Sequence, residues 1–189
     1  MDDRSAIQRL KQGDISGLAA LVSRYQVEAT RTAFLITQDA AAADDIMQAA
    51  FLQCYRHIAQ YDDRRPFAPY FMRIVVNAAL QVARQQQRLV ALEDDADFQA
   101  DDAIPSPESE AEAAELRANI GAALKLLSAD QRTVIVMRYY LDLNEREMAQ
   151  ELGCPPGTVS WRLHAARKQL RVLLHQYAIE QREGDQRGR

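Results

Sequence analysis

Several things are scarce in this chain of 189 residues, and each scarcity narrows what it can be. Cysteine occurs twice, at Cys54 and Cys154, far apart and in no CxxC pair. That excludes a disulfide framework and a cysteine-based metal knuckle, and it fits reduced thiols in a cytoplasmic protein. The three histidines, His57, His164 and His175, are scattered, and there is no HExxH, nucleophile elbow or glycine-rich phosphate loop. Asp44 and Asp45 are adjacent, so on a helix they diverge by about 100° and cannot converge on one substrate. No enzyme, metal, cofactor or small-molecule substrate is expected. No uninterrupted apolar run is long enough to span a bilayer, and Met1 is followed by Asp2, Asp3 and Arg4 where a signal peptide would need an apolar core. Membrane insertion is therefore not expected.

Alternation with period two is also missing, so no segment makes a convincing strand, and the expected fold class is all-α. Hydrophobic residues make up 48% and charged residues 26%, with a net charge of −4. An acidic chain of this kind does not coat nucleic acid indiscriminately. It suits nucleic-acid contacts confined to patches, or a larger partner that helps it bind.

The stretch Leu143 to Arg171 is such a patch. Asn144 can cap a helix with Glu147 three residues later, a capping box, and Leu143 and Met148 are placed as a hydrophobic staple. Gly153 suits a left-handed exit, and Pro156 suits the first turn of a following helix. Val159, Leu163, Ala166 and Leu170 then recur at helical spacing, which gives a helix-turn-helix with an inward stripe. Ala149 fits a close crossing of the two helices. No Asp or Glu lies between Leu152 and Ile179, while Arg162, Arg167, Lys168 and Arg171 do. This is a local basic field of the kind phosphate contact needs, or the solvated face of a small bundle.

Upstream, a short amphipathic helix covers residues 4–11, and Asp14 can cap a second helix with Leu18, Leu21, Val22, Tyr25, Ala29, Ala33 and Leu35 on its apolar positions. Asp39 starts a third. Its expected buried side is Ile46, Ala50, Leu52 at the edge, and Tyr55 to Ala59; Asp44, Asp45 and Gln48 mark an exposed side. A fourth helix follows Pro66 and runs to about Arg88. From Arg64 to Leu92 there is no acid, and Arg64, Arg65, Arg73, Arg84 and Arg88 are interleaved with Phe67, Tyr70 and Phe71 just after Tyr61. Two accounts of these aromatics stand open: they stack unpaired bases, or they are core. Residues 91–107 are acidic, carry Pro105 and Pro107, and read as a linker liable to early proteolysis. Helix resumes near Glu108 to about Leu127, and Ser128 with Gln131 makes a second capping box. The expected layout is a helical domain over 1–90, the linker, a helix-turn-helix domain over 108–180, and a frayed polar tail over 181–189.

Two helical domains joined by an acidic linker, with LSADQRTVIVMRYYLDLNEREMAQELG followed by GTV in the second, resemble a bacterial extracytoplasmic-function sigma factor of the sigma-70 family. The resemblance implies a cytoplasmic protein that binds core RNA polymerase and promoter DNA, with an anti-sigma factor as regulator. It implies polymerase docking through Asp44, Asp45, Gln48 and Phe51. It implies minus-ten contacts from Tyr61, Arg64, Arg65, Phe67, Tyr70, Arg73, Asn77 and Arg84, with a flipped base held near the 61–67 loop. It implies minus-thirty-five contacts from Thr158, Ser160, Trp161, Arg162, His164, Arg167 and Lys168, and a linker that threads the polymerase's nucleic-acid channel. The chain departs from the family pattern at Ala49, Tyr70, Val76, Gln81, Ser160, Trp161 and Ala165, where Glu, Trp, a basic residue, an acid, Lys, Ser and Arg are usual. Trp161 could touch a thymine methyl or a sugar, or pack on its own domain. The alternative is a stand-alone helix-turn-helix regulator that binds DNA without polymerase.

Overall fold

The computed structural model describes residues 1–90 and 108–187. The expected acidic linker, 91–107, lies outside the described residues. The regular structure among those described is helical, and the chain divides into two compact units, Met1–Ala83 and Arg84–Arg189.

In the first unit α1 spans Asp3–Lys11, started by the Asp2 carboxylate accepting from the Ser5 amide at 2.8 Å. It buries Ala6, Ile7 and Leu10. The helix α2, Ser16–Thr37, crosses it backbone to backbone: a Cβ on Gly17 would lie 2.2 Å from the Ala6 carbonyl oxygen, so only glycine fits there. The N-cap position is Ile15, which makes no side-chain cap bond, rather than the expected Asp14; the Asp14 carboxylate accepts from the Ser16 amide at 2.9 Å just ahead of the helix. Gln38 ends α2 in a left-handed conformation, φ 59°, with its amide bonded to the Phe34 carbonyl at 2.7 Å. Asp39 then caps α3, Ala40–His57, through the Ala42 amide at 3.0 Å. A 3₁₀ turn, Ile58–Gln60, leads to the 61–66 loop and to α4, Phe67–Val90.

The core of this unit is an aromatic cluster. Phe51 and Phe71 stand 4.4 Å apart between ring centres, Phe67 and Phe71 5.7 Å, Tyr25 and Phe67 5.5 Å, and Tyr61 and Tyr70 4.7 Å. The buried face of α3 is Ala43, Ile46, Ala50, Phe51 and Cys54, continued by Ile58 in the 3₁₀ turn. This corrects the sequence expectation: Leu52 and Tyr55 are exposed, as are Arg56, His57 and Ala59. A helix apolar on most sides takes its rotation from its neighbours, and the rings of α4 select Phe51. The Cys54 thiol is fully buried and its pKa is pushed up to about 12 by burial, so it stays protonated and unreactive.

The second unit holds α5 (Glu108–Lys125), α6 (Ala129–Tyr139), α7 (Glu145–Leu152) and α8 (Pro156–Arg187). Both expected capping boxes form, Ser128 with Gln131 and Asn144 with Glu147. Gly153 ends α7 at φ 60°. Helix α8 packs against α5, α6 and α7, burying Val159, Leu163 and Ala166, while Leu170 is half-buried. Met148 and Ala149 are buried on α7. The helix continues to Arg187, so the tail expected to fray from 181 is helical over most of its length.

Candidate nucleic-acid interface

The second helix of the helix-turn-helix buries one stripe and leaves the opposite one in solvent. With Val159, Leu163 and Ala166 inside, Ser160, Trp161, His164, Arg167 and Lys168 are exposed. Thr158 is half-buried at the first turn. Trp161 is 68% exposed, a large aromatic that keeps most of its surface in solvent. Such surface is what base edges and sugars meet when a recognition helix enters a major groove.

Two of the expected cations are already engaged. Arg162 is largely covered, and its Nη2 lies 2.9 Å from Asp130 Oδ1 on α6. Asp130 also accepts from Arg84, the first residue of the second unit, at 2.6 Å. Arg167 Nε donates to the Tyr139 hydroxyl at 3.0 Å, with its guanidinium carbon 5.8 Å from that ring's centre. Lys168 is exposed beyond them. Sequence reasoning did not single out Asp130 or Tyr139, because their partners lie on another helix.

In the first unit the minus-ten candidates separate into two groups. Tyr61 and Phe67 are 6% and 2% exposed and belong to the aromatic core, so their ring faces are turned away from solvent. Burial raises the Tyr61 and Tyr70 hydroxyl pKa values, and Tyr61 donates its hydroxyl proton to the Arg65 carbonyl. Tyr70 and Asn77 are half-buried along one edge of α4; Arg64, Arg65 and Arg73 are exposed. The Asp62 carboxylate accepts from the Arg64 amide at 3.1 Å and shapes the turn. Of the two accounts left open for these aromatics, the core account describes Tyr61, Phe67 and Phe71, and Tyr70 alone keeps a partly open ring. Val76, where a basic residue is usual in the pattern the chain resembles, is buried.

On α3, Asp44, Asp45 and Gln48 are exposed on one side. Phe51 is not: at 5% exposure it is a core residue, so the expectation that it docks a partner is corrected. Leu52 and Tyr55 continue the exposed side at helical spacing from Asp45 and Gln48, making a strip that is acidic at one end and apolar at the other.

The family model for sigma-70 region 2 matches residues 21–89, and that for sigma-70 region 4 matches residues 117–170. The chain is similar to the ECF RNA polymerase sigma-E factor of Haemophilus influenzae, 30% identical over 183 residues, which cover 90% of this chain and 94% of that one. It is similar to the ECF RNA polymerase sigma factor SigW of Bacillus subtilis, 28% identical over 181 residues, 90% and 96% of the two chains. In fold it resembles CnrH, solved in complex with the cytosolic domain of CnrY, with a TM-score of 0.65 at 24% identity over 92% of this chain and 97% of that one. The sigma factor RpoE of Bartonella quintana, solved with the anti-sigma factor NepR, gives a TM-score of 0.65 at 20% identity over 83% and 96%. Helical region 2 and region 4 units in this order define a sigma-70 protein. The chain belongs to its extracytoplasmic-function group, and its function is that of an alternative sigma factor in promoter-specific transcription initiation.

Proposed function

We propose that this chain acts in the cytoplasm, docks on core RNA polymerase through the α3 strip of Asp44, Asp45, Gln48, Leu52 and Tyr55, and addresses the polymerase to promoters with two separate reading surfaces. The observation that carries the reading is the exposed stripe of Ser160, Trp161, His164 and Lys168 directly opposite a fully buried one on the same helix. The upstream element is then read by base contacts from the first turns of α8 and held by phosphate contacts from its later cations.

The minus-ten element is opened and read by the basic face of the 61–67 loop and α4, with Arg64, Arg65 and Arg73 on phosphates and the Tyr70–Asn77 edge beside the unstacked base. Tyr61 and Phe67 serve that surface from beneath, as its rigid floor. The chain does no covalent chemistry; polymerase supplies the active site. An anti-sigma factor is the expected regulator in this family. Transcription with core polymerase over a promoter library, with and without this chain, tests the proposal. Promoter-specific transcripts that need the chain support it. Tight DNA binding by the chain alone, with no effect on polymerase, would favour the stand-alone regulator. Among the described residues no helix is long and apolar enough to cross a membrane.

A further inference from the structure

The 61–65 turn is held from outside by a residue that belongs to neither reading surface. Lys11, in the last turn of α1, donates from Nζ to the Tyr61 carbonyl at 2.8 Å and to Asp63 Oδ1 at 2.7 Å. Both side chains are partly covered, and the ammonium holds the Asp63 carboxyl below its ordinary range. The same turn is held from inside by the buried Tyr61 ring and its bond to the Arg65 carbonyl. Asp62 braces it through the Arg64 amide. Lys11 is therefore a long-range polar anchor of the turn, opposite in charge to Asp63.

The anchor sits on a helix that is closely packed and tied to α2. Gly17 lets α2 approach the Ala6 carbonyl so closely that a side chain there would clash. The Asp3 carboxylate on α1 accepts from both Arg24 and the Tyr25 hydroxyl on α2. Rigid support of this kind is what fixes a recognition loop to within a fraction of an ångström. It also matters electrostatically. Without Lys11 the Asp63 carboxylate would lose its hydrogen-bonded cation and offset more of the positive charge of Arg64 and Arg65, which an incoming phosphate would meet.

We propose that Lys11 is a positioning residue for promoter opening: through Tyr61 and Asp63 it sets the turn that selects the minus-ten base. This rests on the assignment of the 61–67 loop to the minus-ten element made above. Lys11→Met keeps the covered stem and removes the charge and the donors. In reconstituted holoenzyme it is expected to leave polymerase assembly unchanged, to slow open-complex formation about tenfold, and to flatten base preference on a panel of forked promoter probes that vary each minus-ten position. Lys11→Arg, which keeps a donor and the charge, is expected to restore most of both. Asp63→Asn breaks the same link from the loop side at a partly exposed position, and decides the matter should Lys11→Met not fold by thermal melting.

Arg64→Ala with Arg65→Ala tests the loop itself. If that pair alters opening or preference while Lys11→Met and Asp63→Asn leave both as in the wild type, the positioning role is refuted and the loop assignment stands. If Lys11→Met slows all promoters equally with base preference intact, the role is likewise refuted. If none of the variants has an effect, the loop assignment fails first and the proposal with it.

Discussion

Arg162 Nη2 lies 2.9 Å from Asp130 Oδ1, so the most covered cation of the reading helix is neutralised by its own unit before any DNA arrives. A bidentate contact of Arg162 to a base, the role that helix position suggests, would require it to exchange this partner for a base edge. Asp130 ties α8 to α6, and on the proposed reading of α8 it is expected to oppose DNA affinity. Asp130→Asn releases Arg162 and Arg84. We expect tighter promoter binding and a salt dependence steeper by about one unit for each arginine that then finds a phosphate. Holoenzyme binding measured across salt concentrations checks this, and an unchanged slope would show that neither arginine reaches DNA.

Trp161 and Lys168 should separate base reading from phosphate holding. Trp161 is 68% exposed, so Trp161→Ala should change folding stability by no more than about 0.5 kcal/mol. It is nonetheless expected to alter preference at one minus-thirty-five position. Lys168→Ala should weaken all promoters alike and lower the salt slope by about one unit. Competition among promoter variants at two salt concentrations reads both signatures, and a uniform loss from Trp161→Ala would reassign that ring to the backbone.

The α3 strip predicts a clean split between folding and docking. Asp45→Arg with Gln48→Ala, and separately Leu52→Ala, should keep helicity and melting temperature and reduce affinity for core polymerase, since all these side chains are exposed. Phe51→Ala should do the opposite first, costing about 3–5 kcal/mol of stability through the cavity left against Phe71. Circular dichroism melts beside polymerase pull-down titrations distinguish the two. Unaltered holoenzyme affinity in both strip variants would move the docking surface elsewhere.

Arg132 is 5% exposed on α6; among the described residues it makes one long bond, to the Leu124 carbonyl, and its Nε has no partner. Burial lowers its pKa from the ordinary guanidinium range to about 10. A folded-state pKa below the unfolded one means that folding disfavours the charged form. The penalty is thus fully present below about pH 10 and fades only as pH rises from there towards the ordinary guanidinium range. Arg132→Met, similar in length and apolar, should match the wild type or exceed it by about 1–2 kcal/mol. The difference should be constant from pH 6 to 9 in urea unfolding. A variant clearly less stable than the wild type would mean that the guanidinium has favourable partners in the folded state.

The helix starts and stops could be named from the chain alone. Asn144 with Glu147, Ser128 with Gln131 and Gly153 all do in the structure what their spacing implied, because a cap is decided within one turn of backbone. The buried stripe of α8 was legible for the same reason: Val159, Leu163 and Ala166 are apolar among polar neighbours, so only one rotation of the helix buries them. In α3 that contrast is missing. Phe51, Leu52 and Tyr55 are all apolar, and which of them goes inside was decided by the packing of α2 and by the Phe71 ring that α4 brings to it.

The links that tune the candidate surfaces also belong to the tertiary structure. Lys11 and Asp63 are 52 residues apart, and nothing in the spacing around either points to the other. Arg162 reads as one basic residue among several until α6 sets Asp130 beside it. A side chain's helical face follows from local periodicity, but its partner depends on where a distant helix lands. The sequence determined that this is an all-α protein with a capped helix-turn-helix and a local excess of cations. Packing decided which cations remain free for DNA, because charges find each other only after the apolar faces have set the distances between helices.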